Sequence, residues 1–193
     1  MEVVLDVETK KTFDEVGGYF PEKLGISFVG INWRDGFNDE WKEAGYFENE
    51  LEDLFTLLEK ADIVIGFNLD SFDMPALSPY YAGDISQVPT LDIMLKIKES
   101  VGHRISLDAV AQETLGIGKS GNGLDAIRYW RNGQLDELAK YCLQDVKVTR
   151  EIYLYGQRTG KVKFKNKWNR LIECPVDFSF KVKHGSGTQM SLI

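Results

Sequence analysis

Residues 2–9, EVVLDVET, put two carboxylates, Asp6 and Glu8, at the end of an apolar run. The span Glu2 to Val7 reads as a buried strand, because Val3, Val4, Leu5 and Val7 suit a pleated, packed surface. Side chains alternate faces along a strand, so Asp6 and Glu8 leave the same face while Val7 points into a core. Two acids so placed can share a cation, or they can be a solvated strand edge. The triplet alone does not decide between these, and the rest of the chain has to.

Outward from that strand the pattern is α/β. After a polar loop holding Gly17, Gly18 and Pro21, the run Ile26 to Trp33 reads as a second strand. Asn49 with Glu52 resembles a capping box, and Leu51, Leu54, Phe55 and Leu58 then recur at helical spacing up to about Ala61. Asp62 to Phe67 is a short, continuously apolar strand. Strands first, then a helix, then a buried strand predict a mixed sheet covered by helices. Ser106 can cap a helix whose inner face is Leu107, Val110, Ala111 and Leu115. Beyond the glycine-rich GIGKSGNG loop, a short segment Leu124 to Trp130 leads through Asn132 and Gly133 into a long helix. That helix is expected from Gln134 to about Tyr155, stopped by Gly156, with Leu135, Leu138, Cys142, Val146 and Thr149 as its core stripe.

Two further motifs carry acids. In GFNLDSFD the apolar strand delivers Asn68 at its exit, and Asp73 opens the next segment, where Pro75 favours a first helical turn. Open α/β sheets place their sites at such carboxyl ends. Asp70 competes with Asp73 for the role. In YCLQD, Tyr141 and Asp145 are four apart and therefore stacked on one helix face. Each motif alone is weak; three in this order, each at an element's end or on one helix face, argue for a shared metal centre.

Size and charge leave room for this. The 193 residues, 43% hydrophobic, can bury a full core. The net charge of −7 argues against general coating of nucleic acid, although a metal-binding site concentrates carboxylates and bound cations reverse the local sign. Cys142 and Cys174 have no CxxC spacing, so neither a disulfide framework nor a zinc site is suggested. No basic, apolar leader follows Met1, and a cytoplasmic location is expected.

As a set, the motifs resemble the DEDD superfamily of 3′-to-5′ exonucleases, which have an RNase H-like fold. DVET is similar to the first exonuclease motif, FNLDSFD to the second, and YCLQD to the third in its tyrosine form; the histidine branch would need His where Lys140 stands. In particular they are similar to the proofreading domain of family B DNA polymerases. The resemblance covers roughly residues 1–155 and implies a two-metal nuclease with Mg²⁺ or Mn²⁺ on Asp6, Glu8, Asp73 and Asp145, Asp6 bridging. Tyr141 completes the catalytic set, orienting water rather than acting as a base. Substrate contacts are expected from Thr9, Asn68, Phe72, Ser106, Leu107 and Lys119, the last in LGIGKS. The expected activity is that of a free-standing exonuclease on single-stranded DNA ends, in repair or proofreading in trans. The same cage would serve an RNA-directed member, and a non-catalytic nucleic-acid or clamp-binding module is the reading from another class.

The tail changes character. Lys161, Lys163, Lys165 and Lys167 alternate with apolar or aromatic residues and Asn166, and Phe178, Phe180 and Val182 alternate with polar ones. This predicts a two-stranded appendage over residues 157–184 with one basic face, which serves either to contact phosphates or to keep an edge strand unpaired. Residues 1–156 form the expected main domain, and 185–193 a flexible tail. Its end, QMSLI, resembles a bacterial sliding-clamp-binding peptide, with Gln189, Met190, Leu192 and Ile193 as the contacts.

Overall fold

The computed structural model describes residues 1–118 and 123–180. Its centre is β1 (Glu2–Thr9), flanked on one side by β2 (Ile26–Arg34) and β3 (Lys42–Tyr46), both antiparallel to their neighbours. On the other side β4 (Ile63–Gly66) and β5 (Thr90–Asp92) run parallel, giving a five-stranded mixed sheet in the order β3-β2-β1-β4-β5. Among the described residues six α-helices surround it: α1 (Leu51–Leu58), α2 (Asp73–Leu77), α3 (Ile93–Val101), α4 (Leu107–Leu115), α5 (Gly123–Arg131) and α6 (Leu135–Thr159). A separate antiparallel hairpin, β6 (Lys161–Lys165) with β7 (Leu171–Pro175), follows. Among the described residues, no helix is long and apolar enough to cross a membrane.

Alternation along β1 divides the interior. Val3, Leu5 and Val7 point to one face, where they bury against α1 and α2 residues such as Leu54, Leu58 and Leu77. Val4 points to the opposite face, into a core shared with Val146, Ile152 and Tyr153 of α6. The α6 stripe Leu138, Cys142, Val146, Thr149, Ile152 and Tyr153 is fully buried. Each large apolar side chain so buried contributes roughly 1.5–3 kcal/mol, enough to fix α6 across β1. Gly30, opposite Asp6 on β2, permits the approach: a Cβ there would lie 3.0 Å from Cys142 Sγ and Val146 Cγ2.

The sequence expectations meet several corrections. The cap before α1 sits two residues early: Phe47 N–H donates to the Glu50 carboxylate at 2.8 Å, not Asn49 with Glu52. Gly156 does not stop α6. It lies within the helix under the Phe178 ring, where a Cβ would meet Cε2 at 2.2 Å, and the helix ends instead at Gly160 (φ 67°). Leu135, expected in the stripe, is 40% exposed. The second hairpin strand is Leu171–Pro175 rather than the stretch around Phe178, because Asn166 to Arg170 make a tight turn that returns the chain at once. Phe178 instead enters the core and stacks on Tyr153 with ring centroids 6.1 Å apart. The hairpin is anchored to the main body by Val162, Phe164 and Cys174, which share the α6 core.

Candidate active site

Glu2, Val4, Asp6 and Glu8 all belong to the β1 face that α6 crosses. At one end, the Tyr153 hydroxyl donates to Glu2 Oε1 at 2.8 Å. At the other, the Cys142 thiol reaches Asp6, lying 3.4 Å from its backbone oxygen and 3.5 Å from Oδ2. Ligand atoms of Asp6, Glu8 and Cys142 lie within 4.8 Å of one another, so this small cluster can coordinate a metal. Burial and the nearby acids push the Cys142 thiol well up, which keeps it protonated. Its part is therefore to donate to Asp6, and the oxygens are the ligands on offer.

Asp73 joins from the other side. The β1–β4 pairing ends at Val4 with Ile65, and past that point the two strands part. Asp73, at the start of α2, fills the opening: its Oδ1 accepts the Val7 N–H at 2.9 Å. It is 3% exposed, whereas Asp70 is exposed and turned elsewhere, so geometry assigns this place to Asp73. The loop before it is braced by Asp92, whose carboxylate accepts the N–H groups of Asn68, Asp70 and Leu95. That bracing holds Asn68 in a left-handed conformation (φ 69°). No motif in the sequence flagged Asp92, although an Asp immediately before the apolar spacing Ile93, Met94, Ile97 is a helix-capping signal.

The third element supplies Tyr141 and Asp145, half-buried on α6. Burial, and then the Asp145 charge, lift the Asp6 carboxyl from 3.8 to about 7. Glu8 is raised well above its ordinary value by burial and then by Asp6, Asp145 and Asp73. Asp73 is raised by burial and by Asp6, against the opposing hydrogen bond from Val7. Burial, followed by Asp145, Glu8 and Asp6, raises the Tyr141 phenol, so it remains a donor at any physiological pH. Four acids and one phenol thus act on each other, and among the described residues the influences on Asp6, Glu8 and Asp73 are burial, other acids and hydrogen bonds, with no Lys or Arg. Crowded, partly dehydrated carboxylates fit a bound divalent cation, which offsets both penalties.

Asp6, Glu8, Tyr141 and Asp145 line a cleft of about 380 Å³. Thr9 and Phe72 line it too, as do Lys11, Phe13 and Leu124, which the sequence did not single out. Phe13 meets Phe72 edge-on at 6.0 Å and stacks on Tyr19 at 4.6 Å, forming an aromatic wall. Asn68, Ser106 and Leu107 do not line the cleft. Ser106 caps α4, accepting the Ala109 N–H at 3.3 Å, and Leu107 packs at the edge of the α6 core. Lys119, Gln189, Met190, Leu192 and Ile193 lie outside the described residues. A larger concavity, about 650 Å³, sits at the far end of α6 between Leu154, Val176 and Phe178, away from the acids, and offers no comparable cluster.

A profile of the RNase_H superfamily matches residues 5–156. The chain belongs to the RNase_H superfamily. This superfamily member is also similar in fold to a solved family B DNA polymerase from the hyperthermophilic archaeon Pyrobaculum calidifontis, with a TM-score of 0.60 at 18% identity. The similarity covers 80% of this chain and 24% of the polymerase, so the chain spans about a quarter of that protein. No curated protein matches it. The mixed sheet, its covering helices and the small C-terminal hairpin agree with the RNase H-like architecture expected from the sequence.

Proposed function

We propose that the chain is a divalent-metal-dependent 3′-to-5′ exonuclease of the DEDD superfamily, tyrosine subtype, acting on single-stranded DNA ends in repair or proofreading. One observation carries the reading: Asp6 and Glu8 from β1 and Tyr141 with Asp145 from α6 line a single cleft, while Asp73 from α2, which does not itself line it, accepts the N–H of Val7 between those two acids and acts electrostatically on them. The motifs that contain them supply the 3′ polarity, through their likeness to that superfamily.

Asp6, Glu8, Asp73 and Asp145 would hold two Mg²⁺ or Mn²⁺ ions, hard cations that prefer carboxylate oxygens. When bound, such a pair supplies an activated water and neutralises charge on the phosphate under attack. The protein's own groups do the rest. The Val7 N–H fixes Asp73, and the Cys142 thiol fixes Asp6, so neither acid has to be oriented at the moment of reaction. The Tyr141 hydroxyl, kept protonated, donates into the cleft and orients the attacking water or a phosphate oxygen. Phe13 and Phe72 offer faces to the terminal base, and Lys11 a cation to its phosphate. The QMSLI tail keeps its reading as a clamp-binding peptide, tested by titrating a peptide of residues 185–193 against a bacterial sliding clamp.

The test uses DNA and RNA oligonucleotides labelled at the 5′ end, incubated with the protein in Mg²⁺, Mn²⁺ or EDTA. A ladder that shortens from the 3′ end with either cation, and disappears in EDTA and with Asp73→Asn, supports the proposal. Intact strands under every condition, or an Asp73→Asn protein as active as wild type, reject it. The ratio of DNA to RNA products decides the sugar.

A further inference from the structure

The hairpin's lysines divide into two sets. Lys161 pairs with Glu173 at 2.7 Å, Lys163 lies 3.8 Å from the same carboxylate, and Lys165 pairs with Glu113 at 2.8 Å. Those three serve the hairpin and its seat on α4, where Thr114 also bonds the Lys163 backbone in both directions. The lysines on β6 are therefore engaged with carboxylates of the hairpin and of α4. The tip differs. Lys167 and Arg170 form no ion pair among the described residues, and residues 163–172, KFKNKWNRLI, carry four basic side chains and no acid in a chain of net charge −7.

Between Lys167 and Arg170 stands Trp168, 69% exposed, followed by Leu171 at 54%. This exposure is built rather than frayed. Asn166 Oδ1 accepts the N–H groups of both Trp168 (3.0 Å) and Arg170 (3.1 Å), the Asn166 N–H donates to Arg170 O at 3.0 Å, and Asn169 closes the turn in the left-handed conformation (φ 57°). The turn thus holds an indole in solvent, with the Lys167 ammonium 4.5 Å from its ring centroid and Arg170 two residues on. A large flat aromatic face beside unpaired cations matches a nucleobase with its phosphate. It matches an acidic peptide or a lipid surface less well, because one planar ring offers stacking rather than a pocket or an apolar stripe.

We propose that the tip of the β6–β7 hairpin, Lys167, Trp168 and Arg170, is a second contact for single-stranded nucleic acid, outside the carboxylate cleft. The choice of partner rests on the nuclease reading, but the contact does not require catalysis. It holds the strand some nucleotides away from the end being processed, and so acts on affinity for long substrates and leaves the chemical step alone.

The experiment measures fluorescence anisotropy of labelled oligothymidylates of 4 and 16 nucleotides with the full-length protein in EDTA, where no cleavage occurs, as a function of salt. Trp168→Ala is expected to weaken binding of the 16-mer about tenfold, with little change for the 4-mer. Lys167→Glu/Arg170→Glu is expected to do the same and to reduce the salt slope by about 1.4, for two lost phosphate contacts. In a cleavage assay with Mg²⁺, both variants should raise KM for the long strand at unchanged kcat. Unchanged 16-mer affinity and slope in both variants overturn the proposal, as does a wild type that does not bind the 16-mer. So does tip-dependent binding of anionic lipid vesicles with 16-mer binding unaffected. The two readings fail separately: strand binding that depends on Trp168 without any cleavage removes the nuclease and keeps the tip, whereas cleavage indifferent to the tip does the reverse.

Discussion

Removing one acid should make the metal-free protein more stable, and by a predictable amount. Asp6 is lifted from 3.8 to about 7, which corresponds to about 4 kcal/mol at roughly 1.4 kcal/mol per tenfold change in proton affinity. Asp6 keeps an edge on the cleft, where water screens part of the effect, so about 2–4 kcal/mol is the working range. The sign follows from the direction of the shift. Below pH 3.8 the acid is protonated in both folded and unfolded chains and imposes no penalty. As pH rises from there to about 7 the unfolded chain ionises first, and stability is lost. Asp6→Asn stays neutral throughout and retains an oxygen to accept from the Cys142 thiol. In EDTA at pH 8 it should therefore melt roughly 4–16 °C above wild type, taking about 2–4 °C per kcal/mol for a chain of this size. Near pH 4 the two should melt nearly together. Circular dichroism melts at the two pH values decide the matter. An Asp6→Asn protein no more stable than wild type at pH 8 in EDTA would mean that Asp6 is neither crowded nor dehydrated, and the reasoning about the cage fails.

Other outcomes follow from the same geometry. Mg²⁺ or Mn²⁺ at about 100 times its dissociation constant should stabilise wild type at pH 7.5 by about 2.7 kcal/mol in thermal melts, reversed by EDTA, with a much smaller effect on Asp6→Asn/Asp73→Asn. Tyr141→Phe, which loses one donor and no ligand, should lower kcat about 10–100-fold, whereas Asp6→Ala should lower it at least about 10³-fold; equal losses would argue that the phenol does more than orient. Gly30→Ala forces a methyl to 3.0 Å from Cys142 and Val146, so it should cost about 1–3 kcal/mol in urea unfolding and lower kcat by shifting α6, with metal affinity reduced in step.

Long elements with continuous or periodic apolar content were legible before any coordinates. EVVLDV and IVIGF are runs that leave no choice but burial, and the stripe Leu138, Cys142, Val146, Thr149 repeats at helical spacing over several turns. The edge strand Lys42–Tyr46 escaped notice because KEAGY is short, charged and mostly exposed; its place comes from pairing with β2, which no local pattern records. Three-residue β5 is too short for any period to show. The FSF alternation imitates a strand, yet its first Phe lies in the core, over Gly156 and against Tyr153. For the candidate site, the three motifs supplied the acids and the phenol that the proposed function uses, since each lies where an element starts, ends or turns a face to the cleft. The supports were hidden: Cys142 reads as ordinary core until Asp6 is seen opposite Gly30, and Asp92 organises a loop more than twenty residues earlier in the chain. Such roles depend on contacts across the sheet rather than on neighbours in sequence.

The central claim is that carboxylates 6, 8, 73 and 145 together form a divalent-cation centre, and crystals of wild type soaked in Mn²⁺ test it most directly through anomalous scattering. The account predicts manganese peaks bound by oxygens of Asp6 and Glu8 with Asp73 or Asp145 in the same cluster, absent from crystals of Asp6→Asn/Asp73→Asn. A saturating soak that leaves this cluster empty, or that puts manganese only at acids elsewhere on the surface, would contradict it.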